Sequence, residues 1–309
     1  MTLASTRKRI VRSSGDIVFN LLNYTGFALF TLLCIYPFYY LIINTISSNE
    51  MSANGMINFL PQQIHFKNYI EILKLKGLPQ AAWVSLGRTV IGTACTVLAS
   101  AFLGFMFTQQ KMWGRAFVYR FIVITMYFSA GLIPMFITML NLHLVNSFWV
   151  YVIPAIVQPF NIILVKTYLE SVPASLQEAA EIDGAGVLRI FFQIMLPISV
   201  PIIATIAIFS AVGQWNSFQD TLIYITDQKL YSLQYVLYQY INQANSLAQL
   251  IKNSSSNMTN EAMLNLATKQ TPTSVRMTVS VVVVIPILCV YPMFQRFFVK
   301  GIMIGSVKG

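Results

Sequence analysis

Apolar positions along this chain fall into long uninterrupted runs, with neither the strict alternation of a half-buried strand nor the narrow stripe of a surface helix. A membrane-crossing helix needs about 20 apolar residues to cover roughly 30 Å of hydrocarbon. Six runs meet that requirement: about 21–43, 84–107, 117–140, 149–166, 198–217 and 276–297. The pattern predicts an all-α integral membrane protein with six transmembrane helices over 21–297, an amino-terminal tail 1–20 and a carboxyl-terminal tail 298–309. Two sizeable polar connections are expected on one side, about 46–83 and 218–275, and a loop 167–197 on the other. The first contains "LPQQIHFKNYIEILK", where Phe66, Tyr69, Ile70 and Leu73 suggest one face of a short amphipathic helix. The second carries a polar, disordered-looking patch, "KNSSSNMTNE".

Composition sharpens the picture. Only 10% of residues are charged, against about 25% in an ordinary soluble domain. With the amino terminus inside, the inner segments hold 12 Lys and Arg and the longer outer segments 8, so density sets both termini in the cytoplasm. Arg7, Lys8, Arg9 and Arg12 precede the first run, which is too long for a signal peptide and reads as a retained anchor. The net charge of +10 therefore reports topology and lipid headgroup contact. No basic face with interleaved aromatics lies outside the spans, which argues against nucleic acid as a partner. Cys34, Cys95 and Cys289 fall inside expected spans and behave as small hydrophobes; His65 and His143 stand apart, so no metal site is expected.

No ionisable residue is expected near mid-span: Arg88, Lys166, Arg276 and Arg296 read as span-end residues that snorkel. That weakens an ion-driven carrier reading. The chain has no phosphate-binding loop of the G-x-x-x-x-G-K-[ST] type, so energy from ATP has to arrive through another subunit. No nucleophile–base pair points to a membrane-embedded enzyme. Gly92, Thr96, Ser100 and Gly104 recur every four residues and suit close helix packing. Pro134, Pro154, Pro159, Pro201 and Pro286 can kink or break their spans.

Against this background the acidic knot in "SVPASLQEAAEIDGAGVLRIFFQIMLP", residues 171–197, is conspicuous: Glu178, Glu181 and Asp183 are three of the chain's ten acidic residues. "SLQE" has the form of a capping box, in which Ser175 and Glu178 satisfy each other's backbone N–H. A helix is expected from there to Gly184 and Gly186, then a second piece with Val187, Ile190, Phe191 and Ile194 on one face. Two readings follow. The segment is a linker that packs Leu176, Ala179 and Ala180 on its own bundle, or it is a docking helix whose carboxylates meet a partner's basic groups.

"EAAEIDGAGVLRIFFQIMLP" resembles the cytoplasmic signature of permease subunits in binding-protein-dependent ABC importers. Glu178, Ala179, Ala180, Gly184, Ile194, Leu196 and Pro197 match its fixed positions without a gap. The resemblance is to the maltose-type carbohydrate permeases. "SAGLIPMFITMLNLHLVNSFWVYVIP", 129–154, is similar to a stretch of the oligosaccharide-importing branch, and "GQWNSFQDTLIYI", 213–225, to the family's W-N segment. The long fifth loop and short amino-terminal tail resemble the second of two paired permeases.

What this resemblance implies is a type I ABC importer permease fold in a bacterial cell membrane. Its partners would be a second homologous permease, two copies of an ATPase subunit and an extracytoplasmic solute-binding protein. ATP and Mg would be used by the ATPase; no cofactor is expected on this chain. The helix near 174–185 would be the coupling helix. Glu178 would face a basic ATPase residue, Ala179 and Ala180 would allow close approach, and Gly184 would supply the turn. Ser175, Asp183 and Ala185 would complete the coupling segment. Tyr127, Phe128, Trp215, Asn216 and Gln219 are the candidates for lining a carbohydrate path, although the partner permease could hold the sugar instead. The alternatives are a peptide or amino-acid permease of the same machinery and, further off, an ion-driven carrier.

Overall fold

A computed structural model describes residues 14–254 and 271–301, and those residues form helices and turns without a strand. The basic cluster Arg7–Arg12, most of the "KNSSSNMTNE" patch and Lys308 lie outside the described residues.

The first helix, α1 (Ser14–Ile46), is apolar all round and almost uncovered by protein, with 6% of its most apolar window buried. Such a surface needs lipid or another apolar protein surface against it. Short helices α2 (Asn49–Ala53) and α3 (Lys67–Leu73) follow. The helix expected in "LPQQIHFKNYIEILK" exists, but its buried face is the opposite one. Asn68 and Ile72 point inward, whereas Phe66, Ile70 and Leu73 are exposed. The reason is polar: the Asn68 amide exchanges hydrogen bonds with Asn49 (2.8 and 3.1 Å) and donates to the Thr45 carbonyl at 3.0 Å. Hydrophobic spacing alone does not register such a satisfied buried amide.

Helix α4 (Leu78–Met106) is the unbroken axis of the bundle, 29 residues or about 43 Å long. The small-residue stripe expected on it is buried throughout: Gly92, Thr96, Ser100 and Gly104. Thr96 donates to the Ala155 carbonyl at 2.9 Å. At Gly104 a Cβ would sit 2.7 Å from the Val165 side chain and 3.2 Å from the Lys166 backbone nitrogen. Gly104→Ala is therefore expected to cost about 1–3 kcal/mol by forcing α4 away from its neighbour. A melting temperature unchanged from wild type in detergent would contradict that close approach.

Three further runs depart from single straight spans. The run 117–140 is two short helices, α5 (Arg115–Thr125) and α6 (Leu132–Asn141), separated by residues 126–131. Gly131, at φ 85° and ψ 177°, turns the chain between them. The run 149–166 begins as 3-10 turns at Phe148–Tyr151 and Ile153–Ala155, then bends 44° into α7 (Pro159–Glu170). Gln158 is extended because it precedes a proline. In the fifth run, α9 (Val187–Ile190), a π turn (Phe191–Met195) and α10 (Leu196–Ile198) meet α11 (Val200–Asn216) at 80°. Pro197 and Pro201 each lack the N–H a continuing helix needs. Between them the Ser199 hydroxyl donates to the Met195 carbonyl at 2.6 Å.

Helices α12 (Gln219–Tyr224), α13 (Leu233–Ser254) and α14 (Pro272–Gly301) complete the order. Among the described residues, α1, α4 and Pro272–Val290 of α14 are long and apolar enough to cross a membrane alone. Counting each bent pair as one span gives up to five. The bundle core lies where α4 packs on α7 and α11.

Candidate functional site

Helix α8 (Ser175–Ile182) stands where the acidic knot predicts a helix, but it starts differently. Ala174 is already helical, and its carbonyl accepts from Glu178 N–H at 3.0 Å. Ser175 is thus inside the first turn and makes no capping bond, so the expected capping box is absent. Asp183 ends the helix, and Gly184 follows at φ +79°, a left-handed turn that side-chain-bearing residues rarely adopt.

The helix has two distinct faces. Ala180 is buried in a cluster with Ala101, Phe105, Val165, Ile190 and Phe191, and Ala185, Ile194 and Leu196 pack partly against that cluster. Beside Ala180, Gln177 and Gln109 exchange amide hydrogen bonds of 2.7 and 3.2 Å. Lys111 donates to Glu181 at 2.7 Å. That bond, then one from Gln177, holds the Glu181 carboxyl below the usual carboxylate range, so it is charged at neutral pH. The other face carries Ser175, Glu178, Ala179, Ile182 and Asp183, all exposed, with Ile182 at 85%. Of the paired alanines, Ala179 faces out and Ala180 faces its own bundle. Leu176 is also exposed, so of the three residues expected on an intrachain packing face only Ala180 is buried. Pro197 is exposed near the 80° bend.

Against the Arg88–Thr96 stretch of α4 lies a cavity of about 420 Å³. Its wall mixes apolar groups (Met135, Phe160, Phe209) with Gln158, Asn161, Ser210 and Asp220. Arg88 closes one side, 1% exposed and ten residues into α4, about 15 Å along its axis. It is therefore no snorkelling span-end residue, and its placement near a helix end in the sequence is corrected. The cause is a complete set of partners: Asp220 at 2.5 Å, Gln214 at 3.0 Å and the Ser217 carbonyl at 3.2 Å. The guanidinium also lies 4.3 Å from the centroid of the Tyr151 ring. Gln214 in turn donates to the Tyr151 carbonyl at 3.0 Å. The Asp220 side chain, which also accepts from Ser217, is 36% exposed toward the cavity.

The five residues expected along a solute path are not among those lining this cavity. Tyr127 and Phe128 project from the 126–131 break at 81% and 77% exposure. Trp215 donates to the Val283 carbonyl at 3.2 Å and packs on the Leu233–Val279 cluster. Asn216 accepts from Gln234 at 3.4 Å, and Gln219 is exposed at the start of α12. The residues that spacing missed are Arg88, Gln158, Asn161 and Asp220 at the cavity and Gln109, Gln177 and Ile182 at α8. An arginine inside an expected span and a lone aspartate after the W-N segment were the available signals.

Residues 96–304 match the sequence profile of a family described as "Binding-protein-dependent transport system inner membrane component". The polygalacturonan/rhamnogalacturonan transport system permease protein YtcP of Bacillus subtilis (strain 168) is 32% identical over 292 residues, covering 94% of this chain and 99% of that protein. The arabinooligosaccharides transport system permease protein AraQ of Halalkalibacterium halodurans is 28% identical over 297 residues, covering 92% and 95%. A crystal structure of a bacterial ABC transporter involved in the import of the acidic polysaccharide alginate contains a chain that superposes with a TM-score of 0.75. It is 27% identical, covering 93% of this chain and 99% of that one.

Proposed function

Because the chain belongs to the binding-protein-dependent transport system inner membrane component family, we propose that it is one of two paired permeases in an ATP-driven importer of oligosaccharides or polysaccharide fragments, coupled to its ATPase through α8. As a permease of the ABC sugar-importer family, the chain is itself not the ATP-hydrolysing component. It passes six times through the cell membrane with both termini in the cytoplasm, its third, fourth and fifth passes being broken helices. Its partners are a second permease, two ATPase copies that use ATP and Mg, and an outer solute-binding protein.

The observation that carries this reading is the two-faced character of α8. One face is fixed to the bundle through Ala180, Gln177 and Glu181, and the other leaves Glu178, Ala179 and Ile182 exposed among the described residues. A carboxylate beside an apolar side chain is a surface that fits a groove with a basic residue at its edge. Closure of the ATPase pair moves α8, and ATP and solute each favour one of two bundle packings. Broken helices supply the places where such packings differ: the 80° bend at Ser199 and the break at 126–131.

The 420 Å³ cavity supports a solute path beside the Arg88–Thr96 stretch of α4, since amides, hydroxyls and aromatic rings are groups that hold sugar hydroxyls. Tyr127, Phe128, Trp215, Asn216 and Gln219 remain proposed contacts on the outer half, where a partner permease would complete the path. Asn161→Leu is expected to raise the KM for uptake about tenfold, one lost polar contact to solute, while leaving assembly intact. An unchanged KM in proteoliposome uptake would remove Asn161 from the path.

The function is tested by reconstituting the four kinds of subunit. Addition of galacturonan or arabinan fragments with the binding protein should stimulate ATP hydrolysis and accumulate the saccharide. Stimulation by peptides or amino acids alone would reassign the solute class. Uptake that survives ATP depletion but collapses with the ion gradient would overturn the importer reading.

A further inference from the structure

From α8 the chain offers two mechanical routes into the bundle. The covalent route runs forward through the Gly184 turn, the π turn at Phe191–Met195 and the 80° break at Ser199. Each is a point at which a helix path bends or re-pairs its hydrogen bonds. A displacement sent that way has three points at which to be absorbed before it reaches α11.

The second route leaves sideways. Gln109 sits three residues beyond α4, 8% exposed, and its amide meets Gln177 of α8 through both hydrogen bonds. The stretch joining it to α4 is itself ordered. Phe107 is 1% exposed, the Thr108 hydroxyl donates to the Phe105 carbonyl at 2.7 Å, and Arg115 donates to the Thr108 carbonyl at 3.1 Å. Next to the amide pair, Ala180 is buried in the cluster to which α4 contributes Ala101 and Phe105. Lys111–Glu181 adds a third contact, but Lys111 is 83% exposed, and ion pairs that exposed contribute little. The half-buried amide pair is the stronger part of this contact, because Gln109 is 8% exposed and separating the two side chains costs it both hydrogen bonds where water has little access.

We propose that Gln109 and Gln177 form a permanent clasp that makes α4, rather than the covalently attached α9–α11 segment, the strut carrying the ATPase stroke. This rests on the reading of α8 as the ATPase-docking helix. Gln109 and Gln177 are positioning residues: they touch neither solute nor nucleotide. The strut has no break in its 29 residues. About 27 Å along its axis from Met106, Arg88 binds it to Gln214, Ser217 and Asp220 at the cavity wall. A movement of α8 is thereby delivered to the cavity without passing through a hinge. The clasp stays closed in every state of the cycle.

The test is a Gln109→Cys/Gln177→Cys pair in a background with Cys34, Cys95 and Cys289 replaced by alanine, assembled with all partner subunits. The readout is solute accumulated per ATP hydrolysed. Without a linker the ratio should fall about tenfold, an ordinary magnitude for a lost coupling contact. A short bifunctional thiol reagent joining the two cysteines should return it to within about twofold of the background protein. An unlinked pair with a full ratio overturns the proposal, and so does a linked pair that stays uncoupled, since a clasp that opens during the cycle is arrested by the linker. If the cysteine pair does not assemble, Gln109→Glu should lower the ratio and Gln109→Glu/Gln177→Lys restore it, and failure of that rescue overturns it equally. A background complex in which the ATPase does not engage α8 at all fails the docking reading instead, and is visible before any linker is added.

Discussion

Asp220→Ala is expected to lose most of the folded protein from the membrane. The substitution leaves Arg88, 1% exposed, with its carboxylate partner gone from 2.5 Å away. Breaking a buried pair from one side costs about 3–5 kcal/mol, against a total stability of about 5–15 kcal/mol for a typical protein. The two halves of the pair are not equivalent. Asp220 keeps 36% of its side chain exposed toward the cavity and can be hydrated there, whereas the Arg88 side chain is 2% exposed. Arg88→Met is therefore expected to be the milder single change, and Arg88→Met/Asp220→Leu milder than Asp220→Ala alone, because no buried charge is left over. Thermal unfolding followed by size-exclusion chromatography in detergent checks the order. An Asp220→Ala protein that melts with wild type would show that Arg88 does not depend on this carboxylate.

Glu178→Lys and Gly184→Val should abolish uptake while leaving insertion and melting close to wild type. Glu178 is exposed and makes no ion pair among the described residues, so this chain loses little on reversal of its charge. A partner groove built for a carboxylate loses an attractive contact and gains a like-charge one, worth several kcal/mol. That is a fall of about 100-fold or more in ATPase affinity. At Gly184 a Cβ would meet nothing within 4 Å, so no internal clash arises. The cost is confined to the φ of +79°, about 1–2 kcal/mol for a side-chain-bearing residue, with the added bulk standing where a partner approaches. Co-purification with the ATPase and vesicle uptake measure both. Wild-type uptake in either variant would return α8 to the role of an intrachain linker.

How much of this was legible in the sequence depends on what kind of force places each residue. The apolar runs located three helices long and apolar enough to cross a membrane and two bent pairs beside them, because such segments are marked by length and composition alone. The breaks inside those runs were half legible. Pro159 marks one through the restriction it puts on Gln158, and Pro201 marks another beside Ser199, but proline positions do not set the size of that bend, 80°. The small-residue stripe on α4 was readable since a periodicity of four gives one face, and Gly104 against Val165 fulfils it. Polar burial was the weak point. The face of α3 was reversed by the Asn49–Asn68 amide pair, and Arg88 was set at a span end although its partners Gln214 and Asp220 lie more than 120 residues away. Hydrogen-bond partners that remote are invisible to spacing. At α8 the signature fixed the helix and its turn, while the division into an anchored face (Gln177, Ala180, Glu181) and a free face (Glu178, Ala179, Ile182) came only from seeing Gln109, Lys111 and Phe105 beside it.

The central claim is that the free face of α8 lies on the cytoplasmic side and is covered by the ATPase. One cysteine reads both. Ile182→Cys, in a protein otherwise without cysteine, replaces a side chain that is 85% exposed and touches little of its own chain. With a membrane-impermeant maleimide, the account predicts labelling in inside-out vesicles and not in right-side-out ones. It also predicts that labelling is lost when the ATPase subunits are added to the permease pair. A thiol at 182 that reacts from outside the cell, or that labels equally fast in the complete transporter, would contradict the account.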